Sequence, residues 1–288
     1  MPHSPLATPS ATLAVLRRHG LATKKSMGQH FLVDDNIVGR ILALAQLTPS
    51  DVVLEVGPGI GTLTVALCAA AGSVLAVERD RDLIPVLEET TAGCGNLVVV
   101  RADALRVGPA ERSGPRGTPT TLVANLPYQV AATVVLRTFE EFPTLAAATV
   151  MVQAEVADRM AAEPGGKDYG AYTVKLRLIA RPAGRFAVPR TVFLPQPRVD
   201  SAVLRLERVS RPESLGVLAA TAEVATAAFA HRRKTLKNSM VASGRFSAGQ
   251  VDHALLSTAV DGGRRAETLS VEEFILLGAS MHGYTHLP

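Results

Sequence analysis

Cysteine is scarce in this chain, with two in 288 residues, Cys68 and Cys94. Their spacing matches no zinc or redox motif, so neither a disulfide framework nor a cysteine metal centre is available. Both lie in or beside apolar segments and read as buried free thiols of a reducing compartment. The seven histidines contain no HExxH or similar ligand pattern, and no metal is expected. No apolar run reaches the roughly 18 residues of a membrane span. The N-terminus lacks the basic n-region and long apolar h-region of a signal peptide. The expectation is a cytoplasmic protein with no membrane contact. Aromatics are few, at 4%. The net charge of +4 and the pI of about 9.3 lean mildly toward a polyanionic partner. The length allows one large domain and a small one.

Read in order, residues 1–10 carry three prolines and read as a disordered tail. A short helix follows from Ala11 to His19, ending at Gly20. The basic stretch 24–32, KKSMGQHFL, is either a charged linker or a lid over a bound ligand. Asp34 is placed to cap a helix through Ile37, Ile41, Leu42, Leu44 and Ala45. Then comes a strand, 52–56, a glycine-rich turn, Gly57-Pro58-Gly59-Ile60-Gly61, and a helix from Thr62. That is the first unit of a nucleotide-binding fold, in which glycines let the backbone approach a ligand. A second strand ends in Glu78, placed where an acidic side chain accepts ribose hydroxyls. The next helix is expected to start near Asp80. A third strand, 97–100, leads to Asp103. The Gly- and Pro-rich stretch 107–119 reads as a loop.

A fourth apolar run, 121–124, delivers Asn125-Leu126-Pro127-Tyr128 to a strand end, where open α/β sheets bind ligands. Pro127 fixes its own φ and lacks an N–H, so the neighbouring carbonyls point in set directions. An amide, fixed acceptors and a flat ring together suit a flat amino-bearing ring such as adenine. Singly, each feature has an ordinary structural reading: a turn, a solvated charge, a helix cap. Their succession at four consecutive strand ends is what points to a ligand. The glycine spacing is GxGxG, not the GxGxxG of dinucleotide sites, and no catalytic His or Lys–Tyr arrangement of a dehydrogenase is evident. Glu55, Glu78 and Asp103 suit a positively charged ligand. S-adenosylmethionine, a sulfonium needing a ribose carboxylate and no phosphate cradle, fits better.

From about residue 20 to 280 the chain resembles the small-subunit ribosomal RNA adenine dimethyltransferases, the family linked to kasugamycin resistance. The resemblance is carried by KKSMGQHFL (24–32), EVGPGIGTLT (55–64), NLPY (125–128), FLPQPRVDSAV (193–203), FAHRRKTLKNS (229–239) and RAETLSVEEF (265–274). The second and third are shared with related methylases, whereas the last three are more specific. The resemblance implies an α/β fold: a Rossmann-like S-adenosylmethionine-dependent methyltransferase sheet with a small C-terminal all-helical domain. The expected boundaries are a tail and short helix at 1–20, the methyltransferase domain at 21–208 and an RNA-binding domain at 209–288. The implied activity is dimethylation of two adjacent adenosines in the 3′-terminal hairpin of 16S rRNA, within an immature 30S subunit, by a monomer.

Carried over by position, His30 and Leu32 close over the cofactor. Gly57, with Gly59 in the same turn, approaches its methionine part, Glu78 the ribose and Asp103 the adenine. Asn125 touches both cofactor and target. His30 and Gln129 stand where the family more often has Asn, and the 107–119 loop is enlarged. The Asn125 side-chain oxygen and the Leu126 carbonyl are expected to accept from the adenine N6–H groups. Tyr128 stacks on a flipped-out base, with Phe193 as the candidate for its other face. Residues 199–206 read as the last strand, and beyond Arg208 the pattern turns helical. Arg232, Arg233, Lys234 and Lys237 form a basic cluster suited to phosphates. Two alternatives are a large-subunit RNA dimethylase of the macrolide-resistance type and a 30S assembly factor whose binding matters more than its catalysis.

Overall fold

A computed structural model of the chain describes residues 3–22, 29–114 and 117–284. Lys24 to Gly28, the start of the expected lid, lie outside the described residues. The helices are α1 (Pro9–Arg18), α2 (Asp35–Ala45), α3 (Thr62–Ala70), α4 (Ile84–Thr90), α5 (Ala131–Glu141), α6 (Ala154–Ala161), α7 (Ala171–Arg177), α8 (Leu215–Ala228), α9 (Leu236–Ala242), α10 (Ala248–Thr258) and α11 (Val271–Met281). The strands are β1 (Phe31–Leu32), β2 (Val52–Val56), β3 (Ser73–Glu78), β4 (Leu97–Arg101), β5 (Thr121–Asn125), β6 (Ala147–Gln153), β7 (Ala180–Val188), β8 (Phe193–Leu194) and β9 (Ser201–Arg208).

Seven strands form one sheet in the order β4-β3-β2-β5-β6-β9-β7. Strands β2 to β6 pair in parallel, and β9 runs antiparallel to β6. β2, β3 and β6 are almost wholly buried, as parallel strands covered on both faces must be. The chain runs outward from β2 to β4, then crosses back to place β5 beside β2. That reversal is the topological switch point, where ligands bind in such sheets. β1 and β8 form a separate antiparallel pair, Phe31 opposite Leu194 and Leu32 opposite Phe193.

Contacts divide the chain into two compact units. One joins Met1–Ala157 to Pro182–Arg208, and the other joins Asp158–Arg181 to Val209–Pro288. The segment 158–181 thus groups with the C-terminal helices rather than with the sheet. It does so because Tyr169 and Val174 are buried in one core with Val224, Leu236, Phe274 and Leu277.

Several local expectations hold. Asp34 caps α2, accepting from the amides of Asn36 (2.9 Å) and Ile37 (3.2 Å). Others need correction. Residues 3–10 are not a tail: Thr8 caps α1, which starts at Pro9, a favoured first-turn residue. The amides of His3 and Ser4 donate to the Asp35 carboxylate, and Leu6 is buried with Val15, Leu16 and Phe31. The helix after Glu78 begins at Ile84, because Glu78 and Asp80 use their carboxylates to hold a turn (Asp80 N–H, 2.7 Å; Asp82 N–H, 3.1 Å). β7 escaped the sequence reading because Pro182 and Gly184 interrupt it. As an edge strand it tolerates both. Cys68 and Cys94 are free and half-buried rather than buried. No helix among the described residues is long and apolar enough to cross a membrane.

In the helical unit α11 packs on α8 at Gly278. A Cβ there would lie 2.1 Å from Thr221 Oγ1 and 2.7 Å from the Thr221 Cα. Alanine is ordinarily worth about 1 kcal/mol over glycine inside a helix. Here overpacking outweighs that gain, so Gly278→Ala is expected to lower stability by about 1–3 kcal/mol in urea unfolding. A stabilised variant would show that the helices are not in close contact there.

Candidate active site

A cleft opens at the C-terminal ends of β2, β3, β4 and β5. Its floor begins with the glycine turn after β2. Gly57, Gly59 and Gly61 have φ of 73°, 62° and 87°, the left-handed region that side chains disfavour. At Gly59 the restriction is double, since an added Cβ would also press on the Phe31 ring at 3.3 Å. The Gly57 amide donates to Val77 O (2.9 Å), tying the turn to the end of β3.

Four carboxylates line this cleft, Glu55, Glu78, Asp80 and Asp103. Glu78, ending β3, accepts from the amides of Gly59 (3.1 Å) and Asp80 (2.7 Å), one on each oxygen. Those bonds orient it. Burial raises its pKa, while the amides of Asp80, Gly59 and Arg79 oppose the rise and the Asp80 charge adds to it. Asp103, after β4, accepts from the Leu105 amide (3.0 Å), with Arg79 and Arg106 at 3.7 and 3.8 Å from its other oxygen. Glu55, in β2, is 2% exposed, and its Oε2 has no hydrogen-bond partner among the described residues. Burial pushes its carboxyl up to about 8, with the Thr64 hydroxyl acting against this and Glu78 adding to it.

The fourth wall is Asn125-Leu126-Pro127-Tyr128. The Asn125 Nδ2 donates one N–H to His30 O (3.2 Å), which fixes the amide, and nothing among the described residues donates to its Oδ1. The Leu126 amide donates to Met151 O (3.0 Å), and the Pro127 carbonyl accepts from the Val130 amide (3.1 Å). No described group donates to the Leu126 carbonyl. Two acceptors, Asn125 Oδ1 and Leu126 O, therefore remain at one strand end. The Tyr128 hydroxyl pairs with the Ser201 hydroxyl (2.8 Å), fixing the ring. The His30 ring stacks on Tyr128, with centroids 5.7 Å apart and planes at 24°. His30 Nδ1 lies 2.8 Å from Pro195 O, which assigns the proton to that nitrogen.

The chain has known relatives. The model of the family described as "Ribosomal RNA adenine dimethylase" matches residues 20–281. A "Ribosomal RNA small subunit methyltransferase A" from Pelotomaculum thermopropionicum is 43% identical over 96% of this chain and 97% of its own length. Among solved structures, a dimethyladenosine transferase from Plasmodium falciparum superposes with a TM-score of 0.71 at 24% identity, over 86% of this chain and 96% of that one. The 23S rRNA methyltransferase ErmE superposes with a TM-score of 0.65 at 29% identity, over 87% and 98%. The chain belongs to the ribosomal RNA adenine dimethylase family.

In this dimethylase the structure brings together His30, Leu32, Gly57, Gly59, Glu78, Asp103, Asn125, Leu126, Pro127 and Tyr128 around one cleft. Phe193 is not among its lining. It is 2% exposed, pairs across β1–β8 with Leu32, and belongs to the hydrophobic core. A ring so buried offers no face to a base. The sequence reading missed Gln29, whose amide holds Asp80 (2.7 Å), and Ser201, which holds Tyr128. Asp80 was read only as a helix start, although its position two residues past Glu78 marks the same strand end. The basic cluster lies in the other unit. Arg233 and Lys234 are exposed and make no side-chain bond to any described group. Arg232 donates to Lys167 O and Tyr169 O (2.8 and 3.2 Å), and Lys237 pairs with Asp252 (2.6 Å).

Glu55 gives the protein a specific pH dependence. A carboxyl raised from 4.5 to about 8 favours the fold below its ordinary value and loses that contribution as pH rises to about 8. Glu55→Gln is expected to remove this fall and to be the more stable protein at pH 9 in thermal unfolding. Parallel stability curves for the two proteins between pH 5 and 9 would contradict it.

Proposed function

We propose that this dimethylase transfers methyl groups from S-adenosylmethionine to N6 of two adjacent adenosines in the 3′-terminal hairpin of 16S rRNA, during small-subunit assembly. The observation that carries the reading is the orientation of Asn125. One N–H of its amide is held by His30 O, which turns Oδ1 outward as an acceptor beside the open Leu126 carbonyl. A pair of acceptors matches the two N–H groups of an exocyclic amine such as adenine N6, beside the Tyr128 face.

The cleft also fits the cofactor. Glu78 stands beside the glycine turn, where a dinucleotide would need amides for its pyrophosphate. A carboxylate there repels a pyrophosphate and attracts a sulfonium. Glu78 would accept from the ribose hydroxyls with the acceptor capacity that the neighbouring amides leave. Asp103 would meet the cofactor's adenine, while Gly57, His30 and Leu32 border the remainder. When bound, S-adenosylmethionine supplies an electrophilic methyl on a positively charged sulfur.

The rest of the chemistry is positioning. An adenine N6 lone pair is delocalised into its ring, which makes the nitrogen a poor nucleophile. Hydrogen bonds from its N–H groups to Asn125 Oδ1 and Leu126 O hold it nearer to tetrahedral, with the lone pair directed away from the ring. After methyl transfer the nitrogen is acidic and gives its proton to water, so no strong side-chain base is required. A base in a duplex cannot reach the cleft, and the target is therefore flipped out. Tyr128, one face against His30, stacks on it with the other, a contribution of about 1–3 kcal/mol. The exposed Arg233 and Lys234 would contact phosphates, adding affinity without reading sequence.

The test is mass spectrometry of RNA from unmethylated 30S particles after incubation with S-adenosylmethionine and either the native protein or Asn125→Ala. N6,N6-dimethyladenosine in the 3′-terminal hairpin is expected with the native protein, and a loss of at least about a hundredfold in rate with the variant. Product on large-subunit RNA alone would move the assignment to the ErmE-like activity. No product on either RNA, with tight 30S binding, would make assembly the main role.

A further inference from the structure

The Asn125–Tyr128 segment is tied to a strand that is distant in sequence. Asn125 lies opposite Met151 of β6, and on the other side of β6 the same Met151 lies opposite Val203 of β9. Two residues further along β6, Gln153 faces Ser201, the first residue of β9. Tyr128 therefore reaches across the end of β6, from one flanking strand to the other, and sets its hydroxyl 2.8 Å from that of Ser201. Ser201 is 1% exposed. The start of β9 is itself anchored. Asp200 takes the Arg190 amide on its carboxylate (2.9 Å) and the Ala154 amide on its carbonyl (3.0 Å).

One face of the Tyr128 ring is also occupied. The His30 ring stacks on it, and His30 Nδ1 is tied to Pro195 O (2.8 Å). A ring held at its hydroxyl and on one face presents the other face in a set plane. A base that stacks there meets a surface already ordered, which lowers the cost of binding. The hydroxyl pair matters to this order because a buried hydroxyl that loses its partner is left unsatisfied.

On the function proposed above, the two transfers to one adenosine make different demands on this surface. In each, the N6 lone pair forms the bond to the methyl carbon. The carbon–sulfur bond leaves its electron pair on sulfur, and one N6 proton goes to water. The unmethylated amine brings two N–H groups to Asn125 Oδ1 and Leu126 O. The monomethylated amine brings one, so it forfeits one of those hydrogen bonds. Stacking on Tyr128 then carries a larger share of the hold on the base. We propose that Ser201 is a positioning residue that, by fixing Tyr128, carries the reaction through the second methyl transfer. It touches neither base nor cofactor in this role and acts through the Tyr128 hydroxyl.

The test is single-turnover methylation of unmethylated 30S particles, with enzyme in excess and S-adenosylmethionine saturating. Mass spectrometry follows monomethyl- and dimethyladenosine with time. The ratio of the second rate to the first does not depend on the fraction of enzyme that is folded, so a merely structural role leaves it unmoved. Ser201→Ala removes one hydroxyl of the pair. Tyr128→Phe removes the other and keeps the stacking ring. Each is expected to lower the ratio about fivefold, so that monomethyladenosine accumulates. The double variant is expected to be no worse than either single one, since both remove the same bond. Cofactor affinity by equilibrium dialysis should stay within about twofold. A ratio unchanged in Ser201→Ala, or changed there but not in Tyr128→Phe, overturns the proposal. Additive losses in the double variant, or a larger fall in cofactor affinity, overturn it as well. A native protein that makes no methylated adenosine on 30S particles fails the functional assignment instead.

Discussion

Everything at the cleft depends on how β2 and β5 meet. Their parallel ladder registers only Val53 with Thr121 and Leu54 with Leu122, whereas β2 and β3 pair along all five residues of β2. The base of the β2–β5 junction is pinned by polar groups. Thr120 Oγ1 donates to Asp51 (2.8 Å) and accepts from the Val52 amide (3.1 Å), and the Thr120 amide donates to Val52 O (2.9 Å). Beyond Leu54 and Leu122 the ladder stops, and the two strands lead on to Gly57 and Asn125. A crossing point that is fixed at one end and unpaired at the other is a cleft by construction. Hydrogen bonds from neighbours then set what each strand end presents.

Those bonds have a common logic. At each strand end one polar function is spent on the fold and its complement is left for a ligand. Glu78 spends part of its acceptor capacity on the amides of Gly59, Asp80 and Arg79. Asn125 spends one N–H on His30 O and keeps its acceptor. Leu126 spends its amide on Met151 O and keeps its carbonyl. Glu55 is the exception, a buried carboxyl with one oxygen unpaired. In low dielectric that group stays protonated around neutral pH unless a positive charge arrives.

Much of this was legible in the sequence, because strand-end chemistry is local. The glycine turn, Glu78, Asp103 and the Asn125–Tyr128 segment each follow an apolar run, and the run length fixes where the strand stops. Asp34 as a helix cap was readable for the same reason. Features decided by distant partners were not. Pro182 and Gly184 concealed β7, since only its place at the sheet edge makes them acceptable. The prolines of residues 3–10 suggested disorder, while bonds to Asp35 decide their order. Phe193 looked available because nothing nearby in sequence reveals that β8 pairs with β1. The stacking of His30 on Tyr128 joins residues far apart in the chain, and neither motif announces it.

The central claim is a division of labour around the switch point, with the ends of β2, β3 and β4 holding the cofactor and the end of β5 holding the target base. The most direct measurement is equilibrium binding of labelled S-adenosylmethionine to Glu78→Ala and Tyr128→Ala, set beside the single-turnover methylation rate of each. Glu78→Ala should lose at least about tenfold in cofactor affinity, as expected for charge-assisted hydrogen bonds. Tyr128→Ala should bind the cofactor within about twofold of the native protein and lose its methylation rate by about tenfold or more. Cofactor affinity that falls with Tyr128 and survives the loss of Glu78 would contradict the account.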